Sequence, residues 1–376
     1  MNKIIPSLLF AAAILLCGCG TTSNGGESAS TEILLGDEYY TDLYNYDNGD
    51  TFLGRGINMG NYLEAEGGEG EWTNGRLIAK EDFTIIKSAG FKSVRIPVRW
   101  ADNTGSSPAY TIDAAFMNRV KEVVSWAQDA GLIVVLDVHH YTKMMNEGES
   151  ALPGHRARLK AIWSQLCDEF TIEKYPADRL VFEFLNEPNG TVTYALWNEI
   201  LDELITVVRT QKGQDARRIM LGTANWGGLA ALNNLVLPAS CTKENTIITV
   251  HCYDPFQFTH QGAEWAEGSD EWIGTDWAGS DSEQHRLNSL FDAVTEWNSV
   301  EGRGFEIFLG EFGVYSKYVD DDCQKAWTAF IARSAEKRKM SWAYWEYDQG
   351  LGAYNQKDGK WYAHIYDALI PEEDQP

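Results

Sequence analysis

Eight apolar runs of strand length recur along the chain, separated by segments of helical periodicity, and no other feature limits its possible folds as much. The runs are FLGRGIN (52–58), KSVRIPV (92–98), LIVVLDVH (132–139), LVFEFLN (180–186), RIMLGTA (218–224), TIITVHCY (246–253), FEIFLGE (305–311) and SWAYWEY (341–347). Amphipathic stretches at 80–89, 114–130, 156–170, 194–210, 283–299 and 321–338 fall between them. Runs rich in β-branched and aromatic residues, apolar on both faces, suit parallel strands covered by helices on either side. Eight such strand–helix units predict an α/β chain closed into a single (β/α)8 TIM barrel over residues 51–371. A doubly wound open sheet is the alternative, but no GxGxxG or Walker pattern follows the first run.

The ends of the chain have a different character. Lys3 precedes an apolar stretch, Ile4 to Cys17, too short to span a bilayer as a mature helix, so residues 1–19 read as an export signal. Its end, Leu16-Cys17-Gly18-Cys19, resembles a bacterial lipobox, with Cys19 as the lipidated new N-terminus; ordinary secretion with cleavage near Gly20 is the alternative. The expected location is a membrane face outside the cell, held only through that lipid anchor. Residues 20–50 begin small and polar and read as a flexible tether, and 372–376 form a short acidic tail. The formal charge of −24 argues against nucleic acid or an anionic membrane surface as partner and favours a neutral ligand. Cys167, Cys241, Cys252 and Cys323 show no zinc-ligand spacing, and their pairing is open. A monomer is expected.

Two acids stand where runs four and seven end. Glu187 sits in LVFEFLNEP and Glu311 in FEIFLGEFG. Taken alone, a glutamate before proline also opens helices, and a glutamate between glycines also sits in turns. Together, at the strand ends of a parallel barrel, they lie at the edge where such barrels carry chemistry. One carboxyl kept protonated and one ionised can cleave a glycosidic bond without a cofactor.

With these motifs the chain resembles glycoside hydrolase family 5, over about residues 51–370 and nearest its bacterial cellulase and mannanase branch. The resemblance implies that Glu187 is the general acid/base, that Glu311 is the nucleophile, and that hydrolysis retains configuration, with the carboxyl groups about 5–5.5 Å apart. It further implies that Arg95 lies beside Glu311 and keeps it ionised, that Asn186 binds the sugar 2-hydroxyl, and that Tyr253 and His251 position Glu311 and Glu187. Trp345 then forms the platform for the sugar at the cleavage point, with His139 and His140 near it. Adjacent strand residues face opposite ways, so one of the two histidines should face the substrate unless the strand has already ended. Asn61, Glu64, His260 and Trp265 match residues lining the non-reducing side of the cleft, and Trp226 is a further stacking platform.

The function implied is a secreted endo-β-1,4-glucanase acting on a β-linked polysaccharide. A β-mannanase, glucomannanase or xyloglucanase on the same site is the alternative, because glucose and mannose differ only at C2. From other classes come a non-catalytic glycan-binding protein and a metal-dependent hydrolase. A pure binder has no reason to keep a costly buried carboxylate pair. For the His139–His140 pair no third or fourth metal ligand stands out, so neither metal nor cofactor is expected.

Overall fold

The computed structural model describes residues 51–376. The export signal with Cys19 and the 20–50 tether lie outside the described residues. Eight parallel strands close into a barrel in sequence order: β1 (Arg55–Asn58), β2 (Ser93–Ile96), β3 (Ile133–Asp137), β4 (Leu180–Glu183), β5 (Ile219–Leu221), β6 (Thr246–His251), β7 (Glu306–Glu311) and β8 (Ser341–Tyr344). Each strand falls inside one of the eight apolar runs. Closure follows from β1 pairing with both β2 and β8, which excludes the open doubly wound sheet.

The outer layer comprises helices α1 (Lys80–Ser88), α2 (Ala114–Asp129), α3 (Leu152–Glu169), α4 (Tyr194–Thr210), α5 (Asp281–Ser299), α6 (Asp321–Lys337) and α7 (Ala363–Leu369). Local signals set their starts: Asp113 and Thr193 accept from amides of the first turns of α2 and α4, and Ser280 with Glu283 forms a capping box on α5. Between β5 and β6 the covering segment is a 3-10 turn, Leu229–Asn234. The acidic end of the chain turns through 372–374, where Asp374 pairs with Arg55 of β1 at 2.8 Å.

The barrel interior changes character along its axis, and strand periodicity controls the change. Near the bottom, Val135, Val181, Met220, Ile247, Phe308 and Ala343 pack with Leu53 into an apolar plug. Two residues further along several of these strands come Asp137, Glu183, Thr249 and Gly310, and β2 contributes Arg95. A period of two keeps these on the same inward face, so an apolar layer is followed by a charged one. Gly310 is needed there: a Cβ would lie 2.6 Å from the Thr249 hydroxyl and 3.0 Å from His251.

The strands are shorter than the runs that encode them. Run four extends to Asn186 but β4 ends at Glu183, and run eight extends to Tyr347 but β8 ends at Tyr344. The remaining residues leave the ladder and curl over the mouth, where side chains no longer alternate.

Candidate active site

Arg95 is the hub of the charged layer and is completely buried. Its Nη1 donates to Glu311 Oε1 at 2.8 Å, its Nε to Glu183 Oε2 at 2.6 Å, and its Nη2 to Asn186 Oδ1 at 2.8 Å. Nη2 also lies 2.8 Å from Asp137 Oδ2. One guanidinium therefore faces three carboxylates, a geometry its planar fork of five donors can satisfy and an ammonium cannot. Asn58 accepts from Arg95 Nη1 at 3.1 Å and donates to the Gly310 carbonyl at 2.9 Å, tying β1 to β7 beneath Glu311.

Glu187 and Glu311 meet above this layer. An oxygen of each and a ring nitrogen of His251 all lie within 4.8 Å of one another. That spacing belongs to the class in which the second carboxylate attacks the sugar directly. Glu311 ends β7, whereas Glu187 lies four residues beyond β4 with φ 44°, a left-handed conformation that costs roughly 1–2 kcal/mol for a residue with a Cβ. Of the eight non-glycine residues with positive φ among those described, five are Asn61, His140, Glu187, Asn225 and Trp226. Strain is thus concentrated where the chain must turn a side chain towards the mouth.

The two carboxyls have different partners. Glu311 accepts from Arg95 on one oxygen and from the Tyr253 hydroxyl on the other, at 2.9 Å. Glu187 faces His251 Nδ1 at 2.7 Å and keeps 24% of its side chain exposed, against 6% for Glu311. Burial pushes Glu187 up to about 7, with Arg95 opposing and Glu183 adding. Burial also pushes Glu311 up to about 7, with His251 and Arg95 opposing, Glu187 adding and the Tyr253 hydrogen bond opposing. Two carboxylates this close in a buried site share one proton near neutrality. It resides on Glu187, because the two hydrogen bonds Glu311 accepts favour its charged form. Burial lowers His251 and raises Tyr253, so the imidazole is neutral and the phenol keeps its proton.

Glu187, His251 and Glu311 are also a group of ligand-type atoms near enough to hold a metal ion. Both oxygens of Glu311 are already engaged by Arg95 and Tyr253, which leaves the set poor in free donors for a cation. His139 Nδ1, for its part, lies 2.7 Å from Asp137 Oδ2.

The remaining residues ring the mouth. His139 and His140 both lie past the end of β3, so strand alternation does not apply to them; His139 stacks on Trp345 at 5.5 Å and 9°, and His140 meets His139 edge-on at 4.4 Å. Tyr253 likewise lies past β6, whose register shifts at Val250/His251, and it reaches Glu311 from the following loop rather than from a shared strand face. Cys252 between them is buried in the hydrophobic core. Trp345 follows β8 rather than lying on it, and Gly60 makes room for its ring, since a Cβ there would come within 2.9 Å. His260 contacts Tyr253 at 4.9 Å and Trp265 at 6.3 Å, and Trp265 is 58% exposed at the rim. Trp226 projects from the loop after β5, on the opposite side from β1.

Glu64 differs from the expectation of a cleft-lining residue. It has no exposed surface, and its carboxylate accepts from the backbone amides of Asn61 and Tyr62, the latter at 3.0 Å. Its place is beneath Asn61, whose side-chain amide bonds to the buried Glu346. Sequence reasoning missed Asp137, Glu183 and Glu346. A signal existed for Glu183: a lone acid inside the apolar run LVFEF must have a cation partner, and Arg95 inside SVRIPV is its counterpart.

Residues 49–350 match the family described as Cellulase (glycosyl hydrolase family 5). Endoglucanase H of Acetivibrio thermocellus is 30% identical over 324 residues, which cover 85% of this chain and 33% of that protein. This chain therefore spans about a third of that relative. Among solved structures, endoglucanase Cel5A of the hyperthermophile Thermotoga maritima is 44% identical with a TM-score of 0.77, over 85% of this chain and 97% of that one. Structures of the same Thermotoga enzyme with cellobiose and with mannotriose are each 43% identical, with TM-scores of 0.78 and 0.77, over 85% of this chain and 100% of theirs.

Proposed function

The chain belongs to glycosyl hydrolase family 5, and from that premise we propose that it is a retaining endo-β-1,4-glucanase with Glu187 as acid/base and Glu311 as nucleophile. The observation that carries this reading is the pairing, with an oxygen of each within 4.8 Å, of a carboxyl that faces His251 and a carboxylate held by Arg95 and Tyr253. Glu187 protonates the glycosidic oxygen as Glu311 attacks the anomeric carbon, forming a glycosyl-enzyme and freeing the shortened chain. Glu187, now a carboxylate, takes a proton from water as the water oxygen attacks the anomeric carbon on the face the leaving chain vacated, and the bond to Glu311 on the opposite face breaks to return its carboxylate. Asn186, held by Arg95 at 2.8 Å, is placed to meet the 2-hydroxyl of the sugar, where hydrogen bonding strengthens as the oxocarbenium-like state develops.

The substrate is β-1,4-glucan, supported by the likeness to proteins named as endoglucanases. A second reading, hydrolysis of mannan or glucomannan at the same site, is favoured by the mannotriose complex of the Thermotoga relative. Reducing-sugar release should be highest on carboxymethyl cellulose or mixed-linkage glucan and lower on glucomannan, mannan, xyloglucan and xylan. A rate on pure mannan above that on any glucan would transfer the assignment to the second reading. The proposal extends to export with a lipid on Cys19, supported by the Leu-Cys-Gly-Cys end of the apolar leader. In a bacterial host, Cys19→Ser should move the enzyme from the membrane fraction to the soluble one; an unchanged membrane fraction would remove the anchor from the proposal.

A further inference from the structure

Glu187 stands four residues past β4 with a left-handed backbone, a conformation that persists only where the surroundings over-determine it. Three restraints act on its loop. The Asn189 side-chain amide donates to the Glu187 carbonyl at 2.8 Å, and the Trp226 amide donates to the Pro188 carbonyl at 3.3 Å. The third restraint comes from the loop after β3, where Met145 lies against the segment that follows Glu187. Its carbonyl accepts from the Thr191 amide at 2.8 Å, and its sulfur from the Asn189 amide at 3.4 Å. Gly190 permits this approach: its φ is 57°, and a Cβ there would come within 2.5 Å of the Met145 carbonyl oxygen.

Met145 belongs to the helical turn Thr142–Asn146, and one imidazole holds that turn by both ends. His155, buried in the first turn of α3, sets its Nδ1 2.9 Å from the hydroxyl of Tyr141, the residue before the turn. Its Nε2 lies 2.9 Å from Oε2 of Glu147, the residue after the turn. The Tyr141 ring also meets the imidazole edge-on at 5.2 Å. Burial raises the Tyr141 phenol, which therefore keeps its proton and donates it to Nδ1. The ring proton of the neutral imidazole then sits on Nε2 and points at the Glu147 carboxylate.

From this bridge we infer that His155 is a positioning residue for the acid/base. By fixing Tyr141 and Glu147 it sets the turn on which Met145 docks, and Met145 in turn sets the loop that aims Glu187. The inference rests on the glycanase reading above and adds to it a residue outside the catalytic pair.

A misplaced acid has a signature that general loosening of the mouth lacks. The quantity kcat/KM reports the steps up to the glycosyl-enzyme, and in those steps a sugar leaving group needs the proton of Glu187 whereas a dinitrophenol does not. The test therefore compares cellotetraose with dinitrophenyl β-cellobioside on the full chain. His155→Ala should lower kcat/KM about tenfold on cellotetraose and leave the dinitrophenyl substrate within about twofold; a displacement of about 1 Å can cost about 100-fold. Tyr141→Phe, which removes only the hydroxyl on Nδ1, should show the same selective loss in smaller measure. Gly190→Ala, which pushes on the Met145 carbonyl without touching His155, should reproduce the selective loss. His155→Gln, whose amide can still donate to Glu147, should recover part of the cellotetraose rate. Equal losses on the two substrates, or cellotetraose rates within about twofold of the wild type, overturn the assignment of His155. If His155→Ala does not fold, Tyr141→Phe gives the same readings with one oxygen removed. A wild type that cleaves neither substrate nor any β-glucan removes the glycanase reading itself.

Discussion

Replacing Glu311 with alanine should lower kcat on soluble β-glucan on the order of 10⁵-fold while leaving the protein folded. The attacking oxygen is lost, and no other carboxylate takes its place: Asp137 and Glu183 are buried beneath it and held by Arg95. These same two acids explain why the fold should survive. Arg95 keeps two of its three carboxylate partners, so no unpaired buried charge is created, the usual cause of a severe loss. The Glu311 carboxyl is also one that burial pushes up to about 7, so its folded environment disfavours the charge it carries. Thermal unfolding should therefore show a midpoint equal to or above that of the wild type. Wild-type turnover in Glu311→Ala would exclude Glu311 as nucleophile, and a collapsed unfolding transition would show that its main contribution is to the barrel.

Glu187→Gln should have a graded effect. General acid catalysis contributes roughly 10² to 10⁴-fold, and the loss should approach the upper end on oligosaccharides, whose sugar leaving group needs a proton. On aryl glycosides with acidic phenols the first step needs little help, so the glycosyl-enzyme should form quickly and then accumulate, because the base for the second step is also absent. A burst of phenol followed by a slow phase is the measurement. The pH profile supplies an independent reading. Wild-type activity requires a proton on Glu187, so it should fall as pH rises through about 7; it also requires Glu311 ionised, so it should fall again as pH drops and the second proton binds. In Glu187→Gln the alkaline limb should vanish. The acid limb should stay in place, because in the wild type Glu187 is already neutral when the second proton binds Glu311, and glutamine is neutral too. An alkaline limb that persists would assign that ionisation to another group.

Both expectations depend on residues that were legible to very different degrees. Glu187 and Glu311 could be found because each closes an apolar run, and a parallel barrel puts strand ends on one face. Arg95 entered through the family resemblance of SVRIPVRW. Its partners Asp137 and Glu183 were equally present in the text of the chain, but choosing between them as structural acids or functional ones requires knowing which inward layer they occupy. The strand ends were misjudged by up to three residues: β4 stops at Glu183 and β8 at Tyr344. Past those points the backbone curls inward, and period-two reasoning loses its hold on His139, His140, Tyr253 and Trp345.

The order of strands and the placement of Glu187 and Glu311 at strand ends followed from local pattern, because hydrophobic periodicity and the direction of parallel strands are properties of short segments. The tertiary structure alone decided the rest. It brought an oxygen of Glu187 within 4.8 Å of one from Glu311, although the chain separates the two residues widely. It buried Glu64 under Asn61 and left Trp72 at the rim beside His140. The physical reason is that charge sharing and ring contacts depend on distances of a few ångströms between loops, and loops remote in sequence acquire such distances only when the barrel closes.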